Sequence, residues 1–486
     1  MTRWLAAAIA LSACGETPAA PDPPTDLEQL VNDYEDGVIS REDYIGAIAM
    51  FEDDGGPGEL SGTLSASRLL SARPDPYVIA GDLQIASRAI LVVEQGADIR
   101  IADGVTVDVQ GRLYAVGPDD DPISVFAAGG ERYTEIILAG GPNQLVSVRL
   151  SRGVRNVTAT HPFDTRTLIE GAAFDSWDDV AIAQNGSSGM RVVRSRFGFD
   201  TPDAEVRGET VRTRNSGVIS IESCEFSYRV GYSDVLDLQD CDPELWPIVI
   251  GNRFDGGEDD AVDLDNCSAF VIGNHIRNMT PIDLANPVAG VNGGGVTGDG
   301  PGSTPFIANN IIEGCFHAIG FKNGARPVIV NNTIIDSNIG ITLYQSAAGN
   351  PMPSGTIINN VLADNVGWLD GENNDIVLNG KWWPTYNQVD EVQATADASF
   401  NITATSGAPF PGEGNVGDDP LLDRSGEIPR LSPGSPAIDS GLGDLSFPDV
   451  PGDIAMTYLS VDFEGNPRQT SGDTLVAPDR GAVESN

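Results

Sequence analysis

Between residues 171 and 367 one short pattern of polar and apolar positions keeps returning: a small or polar residue, any residue, then an apolar one. It reads Ala172-Ala173-Phe174, Ser195-Arg196-Phe197, Cys224-Glu225-Phe226, Asn252-Arg253-Phe254, Asn274-His275-Ile276, Asn310-Ile311-Ile312, Asn332-Thr333-Ile334 and Asn360-Val361-Leu362. The first members lie 23, 29, 28, 22, 36, 22 and 28 residues apart. A base period near 22, lengthened by insertions, predicts stacked repeats and not one folded sheet. The flanks are short β-branched runs such as Ile248-Val249-Ile250, Phe270-Val271-Ile272 and Val328-Ile329-Val330, punctuated by Gly, Asn and Asp. Strands and turns account for that pattern, and no helical period does. Coils of this length built from short strands suit a parallel β-helix.

The Asn column, with phrases such as Asn331-Asn332-Thr333-Ile334-Ile335-Asp336, resembles the right-handed parallel β-helix proteins of the pectate lyase type. The resemblance implies an all-β solenoid over residues 77–375, with Asn side chains stacked at one corner. From Tyr77 onward Leu91, Val93, Ile99, Ile101, Val105, Val107, Val109 and Leu113 alternate with polar or Gly positions, as half-buried strands do. Upstream, Leu30, Tyr34, Tyr44, Ile48 and Phe51 show helical spacing within a tether and helical segment over 15–76. Asn32 to Asp43 matches a calcium-binding EF-hand loop only in part, and a short helical pair is the plainer reading.

The two ends add expectations of their own. Arg3, the apolar run Trp4 to Leu11 and then Leu11-Ser12-Ala13-Cys14 resemble a bacterial lipoprotein signal. That implies cleavage before Cys14, lipid on its thiol, export, and anchoring in an outer membrane or at the cell surface. An ordinary secretory signal with an incidental Cys is the alternative. Beyond residue 375 the period is lost. Lys381-Trp382-Trp383-Pro384-Thr385-Tyr386 reads as a packed lid or a sugar-stacking platform. Residues 376–486, through Leu431-Ser432-Pro433-Gly434-Ser435-Pro436-Ala437-Ile438-Asp439, Asp462-Phe463-Glu464-Gly465-Asn466-Pro467-Arg468 and Asp479-Arg480-Gly481-Ala482-Val483-Glu484, resemble the choice-of-anchor Q module. That resemblance implies a terminal cap and surface association.

Charge narrows the partners. The chain has 486 residues and a formal net charge of −43, which argues against nucleic acid and against adhesion to anionic lipid headgroups. An acidic polysaccharide is repelled too unless a cation intervenes. The chain is expected to be a monomer. Of 28 basic residues only Lys322 and Lys381 are lysines.

Two consecutive coils carry carboxylates in register: Ser233-Asp234-Val235-Leu236-Asp237 and Glu258-Asp259-Asp260-Ala261-Val262-Asp263-Leu264-Asp265. Alternation turns Val262 and Leu264 inward and Asp263 and Asp265 outward, and aligning the coils stacks Asp237 on Asp263 at about 4.8 Å. Carboxylates so close cannot all ionise without a cation, and clustered oxygens suit Ca²⁺. Two coils on, Gly320 falls in the Asp263 column and Lys322 in the Asp265 column, roughly 10 Å away. The coil between contains Gly290-Val291-Asn292-Gly293-Gly294-Gly295, which would leave the gap open.

This arrangement resembles family 9 polysaccharide lyases. The resemblance implies Asp237, Asp259, Asp260 and Asp263 as Ca²⁺ ligands and Lys322 as the base of a β-elimination on an acidic glycan. A lysine must be neutral to act as a base, and a neighbouring cation favours that form. The bland alternative is that outward Asp residues bond turn amides and a lone outward Lys is solvated. A non-catalytic adhesion or glycan-binding β-helix is then the competing function. Cys241 and Cys267 close the two acidic coils and lie within disulfide reach if the register holds, with a buried thiol ladder including Cys224 as the alternative. Cys315 has no evident partner. His161, His275 and His317 show no metal-ligand spacing; His317, near Lys322, is a secondary candidate.

Overall fold

The computed structural model describes residues 26–485 apart from 52–57, 162–165, 187–188, 200–207, 216–217, 228–229, 232, 282–292, 347–348, 367–374, 379–394, 406, 444, 446, 472–473 and 476–477. The expected lipid-bearing Cys14 and the aromatic run 381–386 lie outside the described residues. Residues up to Phe51 form one compact unit and the remainder a second.

In the first unit, helices α1 (Leu27–Glu35) and α2 (Arg41–Ile48) each begin at a side-chain cap. The Asp26 carboxylate accepts from the Gln29 amide, and Ser40 and Asp43 form a reciprocal capping box. Tyr34 stacks on Tyr44 with ring centroids 4.6 Å apart. Asp43 is spent on the cap and Tyr34 on the ring stack, so the partial EF-hand pattern folds as a helical pair.

The second unit is a solenoid of parallel strands with three faces. It starts earlier than the sequence expectation, at Glu59–Leu64 and Arg68–Leu70, which pair with Tyr77–Ile85 and Ile90–Val93. It also runs later, to Ile402–Thr403. One face is a continuous parallel sheet from Arg68–Leu70 to Thr395–Ser399. A second carries very short strands such as Arg253–Phe254 and His275–Arg277. The third carries longer strands, among them Glu209–Arg214, Leu236–Gln239, Val262–Asp265, Gly294–Asp299, His317–Lys322 and Ile339–Tyr344.

The corner between the first two faces explains the repeat. Each coil there places one residue at positive φ, for example Gly251, Gly273, Asn309, Asn331 and Asn359. Gly and Asn reach that region at least cost, which is why they recur. The next residue is the ladder Asn. The ladder runs from Asn252, whose oxygen accepts from the Cys224 backbone, and in Asn274, Asn310, Asn332, Asn360, Asn401 and Asn415 each amide oxygen accepts from the backbone and side-chain amides of the preceding rung. Each side-chain amide from Asn252 to Asn415 also donates to a strand carbonyl, as Asn310 Nδ2 does to Val271 O at 2.9 Å. Two residues on, the apolar position points inward. Phe174, Phe197, Phe226 and Phe254 stack there with centroids 4.7–4.9 Å apart, one ring per rung. Cys241 and Cys267 are bonded, with Cα atoms 4.7 Å apart, and Cys224 and Cys315 are buried thiols pushed up to about 12 by burial.

The C-terminal segment departs from the expected terminal cap. It lies along the side of the solenoid. Phe270, Ile272, Phe306, Ala308, Val328 and Val330 point outward from the first face and pack under Val450, Leu475 and helix α3 (Gly452–Leu459), through Ala455 and Leu459. Asn309 donates to the Tyr458 and Val461 carbonyls, Asn359 exchanges bonds with the Leu442 backbone, and Thr333 Oγ1 receives the Ala482 amide. Arg468, 3% exposed, pairs with Glu484 beneath this segment.

Candidate functional site

The outward positions of the third face form two columns. Arg212, Asp237, Asp263, Thr297, Gly320 and Thr342 are in register in one. Two residues along, Arg214, Gln239 and Asp265 lie in the other, continued by Asp299, Lys322 and Tyr344. Asp237 and Asp263 are direct partners, and Lys322 faces outward on the same wall, its side chain 22% exposed.

The intervening coil differs from the sequence expectation. Its wall strand is Gly294–Asp299, so Thr297 and Asp299, and not glycines, fill the gap between the carboxylates and the lysine. Gly293, at positive φ, belongs to the corner before it, and Gly294 opens the strand. A Cβ on Gly294 would lie 2.5 Å from Asp260 Oδ1, where the Gly294 amide donates at 2.6 Å. The carboxylate therefore closes onto bare backbone. Lys322 Nζ lies 3.8 Å from Asp299.

The acidic cluster is built from this wall and from the turn before it. Oxygens of Asp234, Asp259 and Asp260 lie within 4.8 Å of one another, and so do those of Asp234, Asp237 and Asp263. Asp234 belongs to both groups and was not among the ligands expected from sequence. It sits in a turn, where alternation says nothing about direction. Thr297 Oγ1 is 2.7 Å from Asp260 Oδ2 and 3.2 Å from Asp263 Oδ1. One hydroxyl proton cannot serve both. Burial and then the neighbouring Asp263, Asp260, Asp259 and Asp237 charges push the Asp234 carboxyl well above the usual range. Burial, Asp265 and Asp260 do the same to Asp263, against an opposing pull from Lys322. Asp265 is pushed up to about 6, chiefly by burial, and its Oδ1 is buried with no hydrogen-bond partner.

Two of the three histidines have partners of their own outside the cluster. His275 pairs with Glu313 at 2.8 Å on the short-stranded face, and His161 bonds Thr167. His317 is buried at the start of the strand that ends in Lys322, its ring 4.7 Å from that of Phe316.

A family model described as a right handed beta helix region matches residues 181–380. The fold is a right-handed parallel β-helix. Among solved structures this β-helix is similar to pectate lyase Pel9A, at 15% identity over 91% of this chain and 90% of that one, with a TM-score of 0.41. It is also similar to the Dettilon tailspike protein gp208, at 14% identity over 60% and 58%, with a TM-score of 0.25. No curated protein matches.

The residues present fit a hard divalent cation. Two carboxylate triads meet at Asp234, with Asp234 and Asp263 driven toward protonation by burial and then by neighbouring charge, and an all-oxygen set of this kind is what Ca²⁺ takes. Asp234, Asp237, Asp259, Asp260 and Asp263 would hold it.

Proposed function

We propose that this β-helix is a Ca²⁺-dependent polysaccharide lyase cleaving an acidic glycan by β-elimination. The observation that carries the reading is the register that sets Asp237, Asp263 and Lys322 on one outer wall, with Lys322 two rungs, or roughly 10 Å, beyond Asp263 and three beyond Asp237. A bound Ca²⁺ supplies charge neutralisation for the uronate carboxylate, which acidifies the adjacent carbon-bound proton. The Lys322 amine takes that proton. The electron pair forms a carbon–carbon double bond as the bond to the glycosidic oxygen breaks, and the leaving oxygen takes a proton from solvent. Asp299 at 3.8 Å holds the lysine in place, and Thr297 keeps Asp260 oriented.

Elimination leaves an unsaturated uronide that absorbs in the ultraviolet. A panel of uronate polymers, with Ca²⁺ or with chelator, should give rising absorbance only with Ca²⁺. Lys322→Ala should cut the rate about 10²–10⁴-fold. No product on any polymer, or an unchanged rate in Lys322→Ala, would leave the second reading: a rigid glycan-binding or adhesion scaffold. That reading draws on the internal pairing of the wall's basic groups, Arg214 with Asp237 and Lys322 with Asp299. Export and anchoring through Cys14 belong to the same proposal; Cys14→Ser should move the protein from the membrane fraction to the soluble one.

A further inference from the structure

Arg214 stands one rung before Asp237 on the site wall. Its Nη1 donates to Asp237 Oδ1 at 2.9 Å and its Nη2 to Oδ2 at 2.6 Å. Both oxygens of a carboxylate that is 3% exposed are therefore engaged by a fork of matched geometry. Yet Asp237 is also one of the three residues whose oxygens converge in the second half of the acidic cluster. A guanidinium and a divalent cation on one carboxylate share its lone pairs and repel each other, so full occupancy by one weakens the other.

The surroundings decide which partner can leave. Arg212, on the same strand, is held by both oxygens of Asp179 at 3.1 and 2.9 Å and by Glu209 at 3.1 Å. It stays in place as a like charge beside Arg214. Arg214 has Asp237 and the Thr213 carbonyl as its bonded partners, and its side chain is 33% exposed. Its head therefore reaches solvent along the wall, with Arg212 beside it on the same strand. Arg214 and Lys322 lie two rungs to either side of the Asp265 rung, about 19 Å apart in all, which is the length of several sugar units.

We propose that Arg214 is an exchangeable internal counter-ion: a divalent cation at Asp237 displaces it, and the freed guanidinium takes a second uronate carboxylate of the glycan lying along the wall. Cation and acidic glycan then bind with positive coupling, because each removes a competitor of the other. This rests on the lyase reading and adds to it a residue that binds substrate away from the bond that breaks.

Calcium titrations by calorimetry on the full chain, without glycan, test the exchange. Arg214→Gln should bind Ca²⁺ roughly tenfold more tightly than wild type, within the range that coupled sites show. Arg214→Lys, which cannot grip both oxygens, should fall between and stands in if the Gln variant fails to fold. On whichever uronate polymer gives product, Arg214→Gln should raise KM about tenfold while kcat changes less. Equal or weaker Ca²⁺ binding in both variants overturns the exchange, and tighter binding with an unchanged KM overturns the glycan contact. Asp263→Asn separates this failure from that of the underlying reading. If it abolishes Ca²⁺ binding while the Arg214 variants match wild type, only the Arg214 assignment falls; if it binds Ca²⁺ as wild type does, the acidic cluster is not the cation site and both fall.

Discussion

Two polar columns run along this solenoid at the same spacing, and they come to opposite ends. In the Asn column from Asn252 to Asn415 each amide carries donor and acceptor together, so stacking identical side chains satisfies all of them. In the Asp column of the third face the stacked groups carry only acceptors and like charge, so Asp237 borrows Arg214 while Asp234 and Asp263 are pushed toward the protonated form. Repetition of a self-complementary group yields scaffold. Repetition of a group that cannot complement itself yields a place that recruits something from outside.

Breaking the first column should cost most. Asn310→Ala removes four side-chain bonds, orphaning the Asn274 amide and the Val271 carbonyl inside the corner. A loss of about 3–5 kcal/mol is expected in denaturant titration. Next comes the bond that ties the two acidic rungs together. Replacing Cys241 and Cys267 by Ala opens a loop of 26 residues and should cost about 2–4 kcal/mol.

The Asp column responds with the opposite sign. Asp234, Asp263 and Asp265 hold their protons more tightly folded than unfolded. Without divalent cation, the stability these three groups contribute should therefore be fully present below the ordinary carboxylate range near 4 and be lost as pH rises through about 6, the raised value for Asp265. Thermal melts in chelator should show Tm falling by a few degrees over that window, and saturating Ca²⁺ should flatten the slope. Smallest of all, Asp263→Asn should raise metal-free stability by roughly 0.5–1 kcal/mol, the scale of a like-charge pair directly across a ladder. A destabilised Asp263→Asn would mean that the two columns are not opposites after all.

The legibility of these columns followed their periodicity. The Asn column could be read because its corner recurs with each coil, and the outward parity of Asp263, Gly320 and Lys322 because strand alternation is strict. Thr297 and Asp299 were misjudged because their coil contains the longest gap, 36 residues between Asn274 and Asn310, so counting could not say which residues made its wall strand. Asp234 and the Arg214–Asp237 pair escaped for another reason. A turn residue has no alternation to aim it, and a partner one rung away is set by three-dimensional register and not by any local motif. The first coil, with Gly62 in its strand, carries too little apolar pattern to announce itself.

The side-lying C-terminal segment bears on how the molecule is made. Phe270, Phe306 and Val328 are emitted from the ribosome well over a hundred residues before Ala455, Leu459 and Leu475, which shield them. A growing chain thus carries a greasy strip that stays wet until the stretch around residues 450–475 emerges, so polypeptides that stop short of about residue 450 should clump.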